Sequence, residues 1–398
     1  MDDALYDTTW IAHSIPKLTP SFSRLLSAPA TTPQARDSHR DQLSSHAQFF
    51  QEYLFEGKKR YEREEERIHL GGFKKCTWIR LLNNHNNADR SSSEVGKKRK
   101  RETQEEHERF QNNGILITVV YEKKVFKSIV YTSSSSTTNA SKRSRVASTA
   151  RNNSSTQPTA STEGTAILLT KGPPSASKPL RTYLEETFSL PQIQPLTLSS
   201  PFIQSTLEKY LLSVHPHILG TVKLTLSFTA PVAPQLKSLE LALPSETVQT
   251  FSSELLRSSS RRSRPKENVF MNQLSSFVLN KSGLTIPLIR NVFGVKEGEW
   301  KPIDEQPGAP VRVSRISTAL FAIGVEGKVK FVGKGVDLED GGEGDDTGGV
   351  NAVRRANWQA LADMLEEVGR LEREEETAED DNIDVLPLRA ATAFATKI

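Results

Sequence analysis

One cysteine, Cys76, stands in 398 residues, so the chain can close no disulfide within itself and can build no cysteine-based structural zinc site. That usage fits a reducing compartment, cytosol or nucleus. Hydrophobic residues make up 36% and aromatics 7% of the chain. A fully globular chain of this length carries more, so part of this one is expected to stay unfolded. Nowhere do eighteen apolar residues run together, which argues against a membrane-spanning helix. The opening MDDALYD is acidic where an export signal needs a positive flank, so no export is expected.

The common catalytic signatures are missing as well. A phosphate-cradling loop needs glycines that bring backbone N–H groups to the ligand, and Lys171, Gly172, Pro173 and Pro174 place prolines where donors are required. No serine has the G-x-S-x-G setting of a strained nucleophile. His215 and His217 flank Pro216 with no third metal ligand nearby, and read better as a loop at a helix end. A single GGEGDD at Gly341 to Asp346 cannot stack as a calcium-binding β-roll would, and reads as a linker. Lys74 and Lys75 precede Cys76, but without a matched histidine the cysteine is expected to be buried and inert. No enzyme, no cofactor and no metal is the resulting expectation.

What the chain does have is segregated charge. The formal net charge is only +4, yet basic runs lie before Arg264 while the segment after Val336 is strongly acidic. Lys97, Lys98, Arg99, Lys100 and Arg101 sit in a polar stretch and form a candidate nuclear-import cluster. Three further clusters are Lys58, Lys59 and Arg60; Lys74 and Lys75 with Arg80; and Arg257, Arg261, Arg262 and Arg264. On one face they would neutralise phosphates and bind DNA without reading sequence. Unconnected, they are solvated patches.

Hydrophobic periodicity divides the chain. Leu5 to Ile15 predicts a strand closed by Pro16, and Asp41 to Arg67 a helix that Gly57 could break. Thr77 to Leu82 predicts a strand, and Ile115 to Tyr121 with Val125 to Tyr131 a hairpin around a polar break. Residues 133–162 hold almost no large apolar group and are expected to be disordered; their hydroxyls beside Lys142, Arg143 and Arg145 are possible phosphorylation positions. A strand at AILLT and a helix at Pro179 to Phe188 follow. Ser200 then stands as N-cap and Pro201 as first residue of a helix whose buried face is Phe202, Ile203, Leu207, Tyr210, Leu211 and Val214.

Val222, Leu224 and Leu226 alternate with polar residues, as do Leu239, Leu241 and Leu243, predicting an antiparallel pair with one buried face. Helices are expected from Pro244 and around Phe270 to Val278, then a long last strand over Val311 to Val332 with a bulge or turn at Gly324 and Gly327. Val350, Val353, Leu361, Leu365, Val368 and Leu371 recur at helical spacing on an amphipathic helix whose apolar stripe needs a cover. The fold class expected is α+β, a curved, mostly antiparallel sheet backed by helices on one face, with disordered insertions and an acidic helical tail. Its parts are a strand-helix region at 1–82, a polar basic linker at 83–113, a β-hairpin at 114–132, a disordered Ser/Thr-rich insertion at 133–164, an α+β core at 165–335, and an acidic linker with amphipathic helix at 336–398.

The phrases GTVKLTLSF, KSLELALPSETVQTF, ENVFMNQLSSFVLNKSGLTIPL and VRVSRISTALFAIGVEGKVKFVGK, in that order, resemble the core of the centromere protein L family of inner-kinetochore subunits. LYDTTWIAHSIPKL resembles the opening of its fungal members. The likeness runs from about Thr165 to Gly335 and more loosely over the first twenty or so residues; the polar insertions and the acidic extension depart from it. The resemblance implies a non-catalytic scaffold in the nucleus, at the centromere. It would pair with a centromere protein N-like subunit within the constitutive centromere-associated network, with other inner-kinetochore subunits and centromeric nucleosome or DNA as further partners and no membrane. It also implies that pairing uses the last strand region, which here is Ala319, Leu320, Phe321, Ile323, Val325, Val329 and Phe331. An edge strand that apolar would aggregate if left bare, so it is expected to be covered by another chain. The alternative is a nuclear protein that binds nucleic acid without specificity; an enzyme with an unrecognised site is a third reading.

Overall fold

The computed structural model describes residues 4–27, 32–61, 70–81, 113–132, 164–172, 174–228, 237–259, 269–283, 311–333 and 347–383. Most of the expected disordered insertion, the polar linker, the import cluster, Arg261, Arg262 and Arg264 lie outside the described residues. Eleven strands form one open, curved sheet: β1 (Thr8–Ile15), β2 (Phe73–Arg80), β3 (Asn113–Tyr121), β4 (Val125–Thr132), β5 (Ala166–Lys171), β6 (Gln194–Pro195), β7 (Val222–Phe228), β8 (Ser238–Leu243), β9 (Val311–Ser317), β10 (Phe321–Gly324) and β11 (Lys328–Phe331). The order is β2-β3-β4-β5-β1-β11-β10-β9-β7-β8, every pair antiparallel, with β6 beside β1. The described helices are α1 (Pro20–Leu26), α2 (Pro33–Tyr61), α3 (Pro174–Phe188), α4 (Ser200–Ser213), α5 (Pro216–Leu219), α6 (Ser245–Ser259), α7 (Val269–Ser282) and α8 (Thr347–Ile383).

Helices lie on both faces, not one. On the first face Phe22 of α1, Phe50 of α2 and Leu184 of α3 pack with Ile115, Ile117, Val130 and Leu168. On the other, α4, α6, α7 and α8 pack with Trp10, Ile167, Leu224, Ile316, Phe321 and Val329. The central strands explain the difference. Ala166 to Thr170 of β5 are all buried, so AILLT is a continuous apolar run covered on two sides, where an alternating strand would have one wet face. In the half from β11 to β8, strands such as β7 and β11 alternate, and β10 is buried throughout with only Ala322 and Gly324 turned away from the second core. None of these strands contributes to the first core, so there the helices cover one face only among the described residues.

Local chemistry moves several expected boundaries. The N-cap of α4 is Ser199, whose hydroxyl accepts the Phe202 N–H, and Ser200 is already helical. The α2 helix runs through Gly57 without breaking. The long last strand is three strands folded on one another. Thr318 Oγ1 accepts the N–H groups of Leu320 and Phe321 at 3.1 Å and turns β9 into β10. Gly327, at φ +68°, turns β10 into β11; a Cβ there would meet the Leu196 carbonyl oxygen at 2.3 Å. The apolar stripe of α8 is covered within the chain by α4 and β5, with Trp358 against Tyr131.

Two histidines give the fold a pH dependence. His13 on β1 is held below its ordinary value by burial and then by the nearby Arg181 guanidinium, and His46 on α2 by burial. The unfolded chain therefore takes up these protons near the ordinary value of 6.5, before the folded chain does. Stability is lost as pH falls below that value and is fully present above it. The urea midpoint should hold steady above neutrality and drop toward pH 5, and His13→Gln with His46→Gln should flatten that drop. An equally steep fall in the double variant would discount the histidines.

Candidate partner and nucleic-acid surfaces

The segment expected to pair with another chain is inside the sheet. β10 lies between β9 and β11, and β11 between β10 and β1. Leu320, Phe321, Ile323, Val329 and Phe331 are buried, Val325 is half-buried, and only Ala319 is exposed. The expectation of an uncovered apolar edge is thus corrected: the edge is closed by β1, whose register sets Thr8 on Phe331 and Trp10 on Val329. That pairing joins residues more than three hundred positions apart, which local pattern cannot show.

Among the described residues the sheet ends at β2 on one side and β8 on the other. Lys74 and Lys75 are exposed on β2, where the register slips between Phe73 and Lys75. Phe55 of α2 packs edge-on to Phe73 with ring centres 5.3 Å apart, one turn before Lys58, Lys59 and Arg60. The fold thus brings the last turns of α2 to the end of the sheet that holds Lys74 and Lys75, where the β3–β4 turn adds exposed Lys123 and Lys124. Arg80 is not part of this group: it ends β2 at the far side, opposite Ile115, and burial followed by the charge of Arg36 lowers its value. Arg257 lies in the last turns of α6.

On β2, burial pushes the Cys76 thiol up to about 11, so desolvation decides its value. From an ordinary 9.0, two units leave roughly a hundredfold less thiolate at pH 8, since each unit is a factor of ten. Alkylation by iodoacetamide, followed by mass spectrometry, should be slower by about that factor in the folded chain than in urea. Equal rates would contradict the buried setting. The rings of His215 and His217 stack 5.5 Å apart, and among the described residues no three metal-ligating side chains come together.

A basic surface that sequence reading passed over lies on the uncovered face of the β11-to-β8 half. One cross-strand row runs Ala242, Lys223, Ser317, Ala322, Lys330, Thr9. The next holds Glu240, Thr225, Arg315 and Gly324, with Lys328 opposite Ile11 and Arg312 opposite Ser227. Lys223, Arg312, Arg315, Lys328 and Lys330 are all exposed, against two acids: Glu240, 3.4 Å from Lys223, and Glu326 paired with Lys328. Small residues separate the cations, so the floor is flat. Three strand spacings put Lys223 and Lys330 about 14 Å apart, and the rows lie about 7 Å from each other. One cation comes from β7 and the other four from β9 and β11, about ninety residues or more further on, each set apart from the next by uncharged residues, so no run of charge announces them. The signal was the polar half of each alternation, read only as solvent-facing.

Such a surface offers long cationic side chains and hydroxyls to a polyanion, and among the described residues no metal-ligand cluster lies beside them. Among the described residues no helix is long and apolar enough to cross a membrane. Comparison with curated proteins finds no match. The family model described as Centromere protein L matches residues 4–370, which takes in β1 at one end, most of the packed length of α8 at the other, and the polar insertions between. The chain belongs to the centromere protein L family.

Proposed function

We propose that this chain is a non-catalytic inner-kinetochore scaffold that pairs with a centromere protein N-like subunit and helps hold the kinetochore on centromeric chromatin, with nucleic-acid backbone lying on the open cationic face. Membership of the family makes it a centromere and kinetochore protein of the nucleus, with a structural part in chromosome segregation. The observation that supports the finer reading is the double row of Lys223, Arg315, Lys328 and Lys330 on a sheet face that the described helices leave bare. Phosphate contacts of this kind give position without sequence information. Lys97 to Arg101 are proposed to be read by an import receptor, and the cluster at Lys58, Lys59, Arg60, Lys74 and Lys75 to extend the basic surface.

The test uses the full chain, alone and co-expressed with the same organism's centromere protein N candidate, titrated onto unrelated duplexes at several salt concentrations. A one-to-one complex is expected, binding all duplexes alike, with affinity falling as salt rises at a log–log slope of about −4. A complex that ignores DNA, or binding insensitive to salt, sinks the nucleic-acid part. Binding by the lone chain with no affinity for the partner leaves the second reading, a nonspecific nucleic-acid-binding nuclear protein, carried by the same face.

A further inference from the structure

We infer that the hairpin end of the sheet holds a site for a phosphorylated side chain, a phosphoserine or phosphothreonine on a peptide of another protein, gripped by Lys127 of β4 and Lys171 of β5. These two lysines stand directly opposite each other across the β4–β5 pair. Like charges so placed repel and lower stability. Among the described residues neither forms an ion pair: Lys171 donates instead to the Thr8 hydroxyl at 3.2 Å. Glu122, in the turn beyond, gives its carboxylate to the Gly72 N–H at 3.0 Å. The repulsion is therefore left standing in the free chain, where an anion between the two ammonium groups would relieve it.

The surroundings fit one compact anion. Both lysines point to the side of the sheet that holds the second core, in one cross-strand row with Thr118 and Thr77. Two residues further along, half-buried Val120 and the 48% exposed Val125 pair across β3 and β4 and form an apolar step. α8 covers the other end of these strands, where Trp358 meets Tyr131; among the described residues no helix covers the hairpin end on this side. A phosphate monoester brings close to two negative charges at neutral pH and three acceptor oxygens. Two ammonium groups rooted about 5 Å apart match that charge, with the Thr118 hydroxyl beside them. A duplex spreads single charges along a track, and along this row the next residues are threonines, not cations. The valine step would seat an apolar residue close to the phosphorylated one. The site lies on the other side of the sheet from Lys223, Arg315, Lys328 and Lys330, and holds whether or not that face binds nucleic acid.

The deciding experiment titrates the full chain with fluorescein-labelled libraries of short peptides, degenerate around a central phosphoserine or phosphothreonine. The same libraries without phosphate, an unrelated duplex, and inorganic phosphate as competitor run beside them. The phosphorylated pools should bind about tenfold tighter or better, enriching an apolar residue near the phosphate. Lys127→Glu and Lys171→Ala should each weaken that binding by about tenfold or more, as loss of a charge-assisted contact does. Lys127→Glu has a second signature, since it sets opposite charges across β4 and β5: the urea midpoint should rise while binding is lost, which damage to the fold cannot imitate. Alanine at Lys223, Arg315, Lys328 and Lys330 together should leave phosphopeptide affinity unchanged. Phosphorylated pools that bind no better than plain ones overturn the inference, as does affinity that survives both lysine variants. Inorganic phosphate competing as well as the peptides makes this an adventitious anion site only and overturns it too. Duplex binding that falls in Lys127→Glu as far as peptide binding does would make the pair part of a nucleic-acid track, which overturns the phosphopeptide and leaves the proposed function standing.

Discussion

Phe321→Ala is expected to destabilise the chain by about 3–5 kcal/mol, the usual loss for deleting a fully buried aromatic ring. Phe321 is 1% exposed, it opens β10 in the middle of the sheet, and its ring stacks on Tyr210 of α4 with centres 4.1 Å apart. Tyr210 is held in turn by the bond from its hydroxyl to Asn357 of α8, and burial raises its phenol far above the ordinary range, so it stays a neutral donor. The cavity would thus open where α4, α8 and three strands meet, with little freedom to collapse. Leu241→Ala, on the half-exposed edge, should cost much less. Urea titration of both variants makes the comparison, and near-equal midpoints would show that β10 is not a core strand. The outcome also bears on pairing with another subunit. Phe321→Asp or Val329→Asp would abolish a complex by unfolding the chain, so loss of binding in those variants says nothing about where a partner sits.

Sequence made the alternating and helical elements legible because their periods are local. The β3–β4 hairpin, the β7–β8 pair, the inward face of α4 and the stripe of α8 all followed from spacing within twenty residues. The short helix α1 and the early start of α2 at Pro33 did not, since PSFSRLL is too brief to show a period and the first turns of α2 are nearly all polar. The larger miss concerns order within the sheet. Val329 and Phe331 looked like an exposed apolar edge only because the strand that closes it, β1, lies at the other end of the chain. The basic surface was misjudged for the same reason. Runs such as Lys58 to Arg60 stand out in a sequence, whereas Lys223, Arg315 and Lys330 become neighbours only through the register of β7, β9, β10 and β11.

Neutralising that register-built surface should have the largest effect on nucleic-acid binding. Lys223, Arg315, Lys328 and Lys330 are exposed and sit on strands whose opposite faces hold the core, so four alanines remove charge without removing packing. If each cation replaces about one counterion on the duplex, the log–log salt slope should shrink by about 0.9 per residue, or roughly 3–4 units in all. At 150 mM salt this corresponds to a loss in affinity on the order of a hundredfold to a thousandfold, equal for all duplexes because phosphates and not bases are contacted. Lys123→Ala with Lys124→Ala, at the sheet's hairpin end, should lower the slope by about 2 at most if that end lies on the same path, and not at all if it does not. Arg80→Ala should leave the slope alone, its guanidinium being half-buried at the far end of β2. Fluorescence anisotropy from 50 to 200 mM salt on the folded variants separates the cases. A quadruple variant that keeps the full slope would move the phosphate track off this face, and a larger loss from the hairpin lysines would move it to the end where Lys74, Lys75 and the last turn of α2 converge.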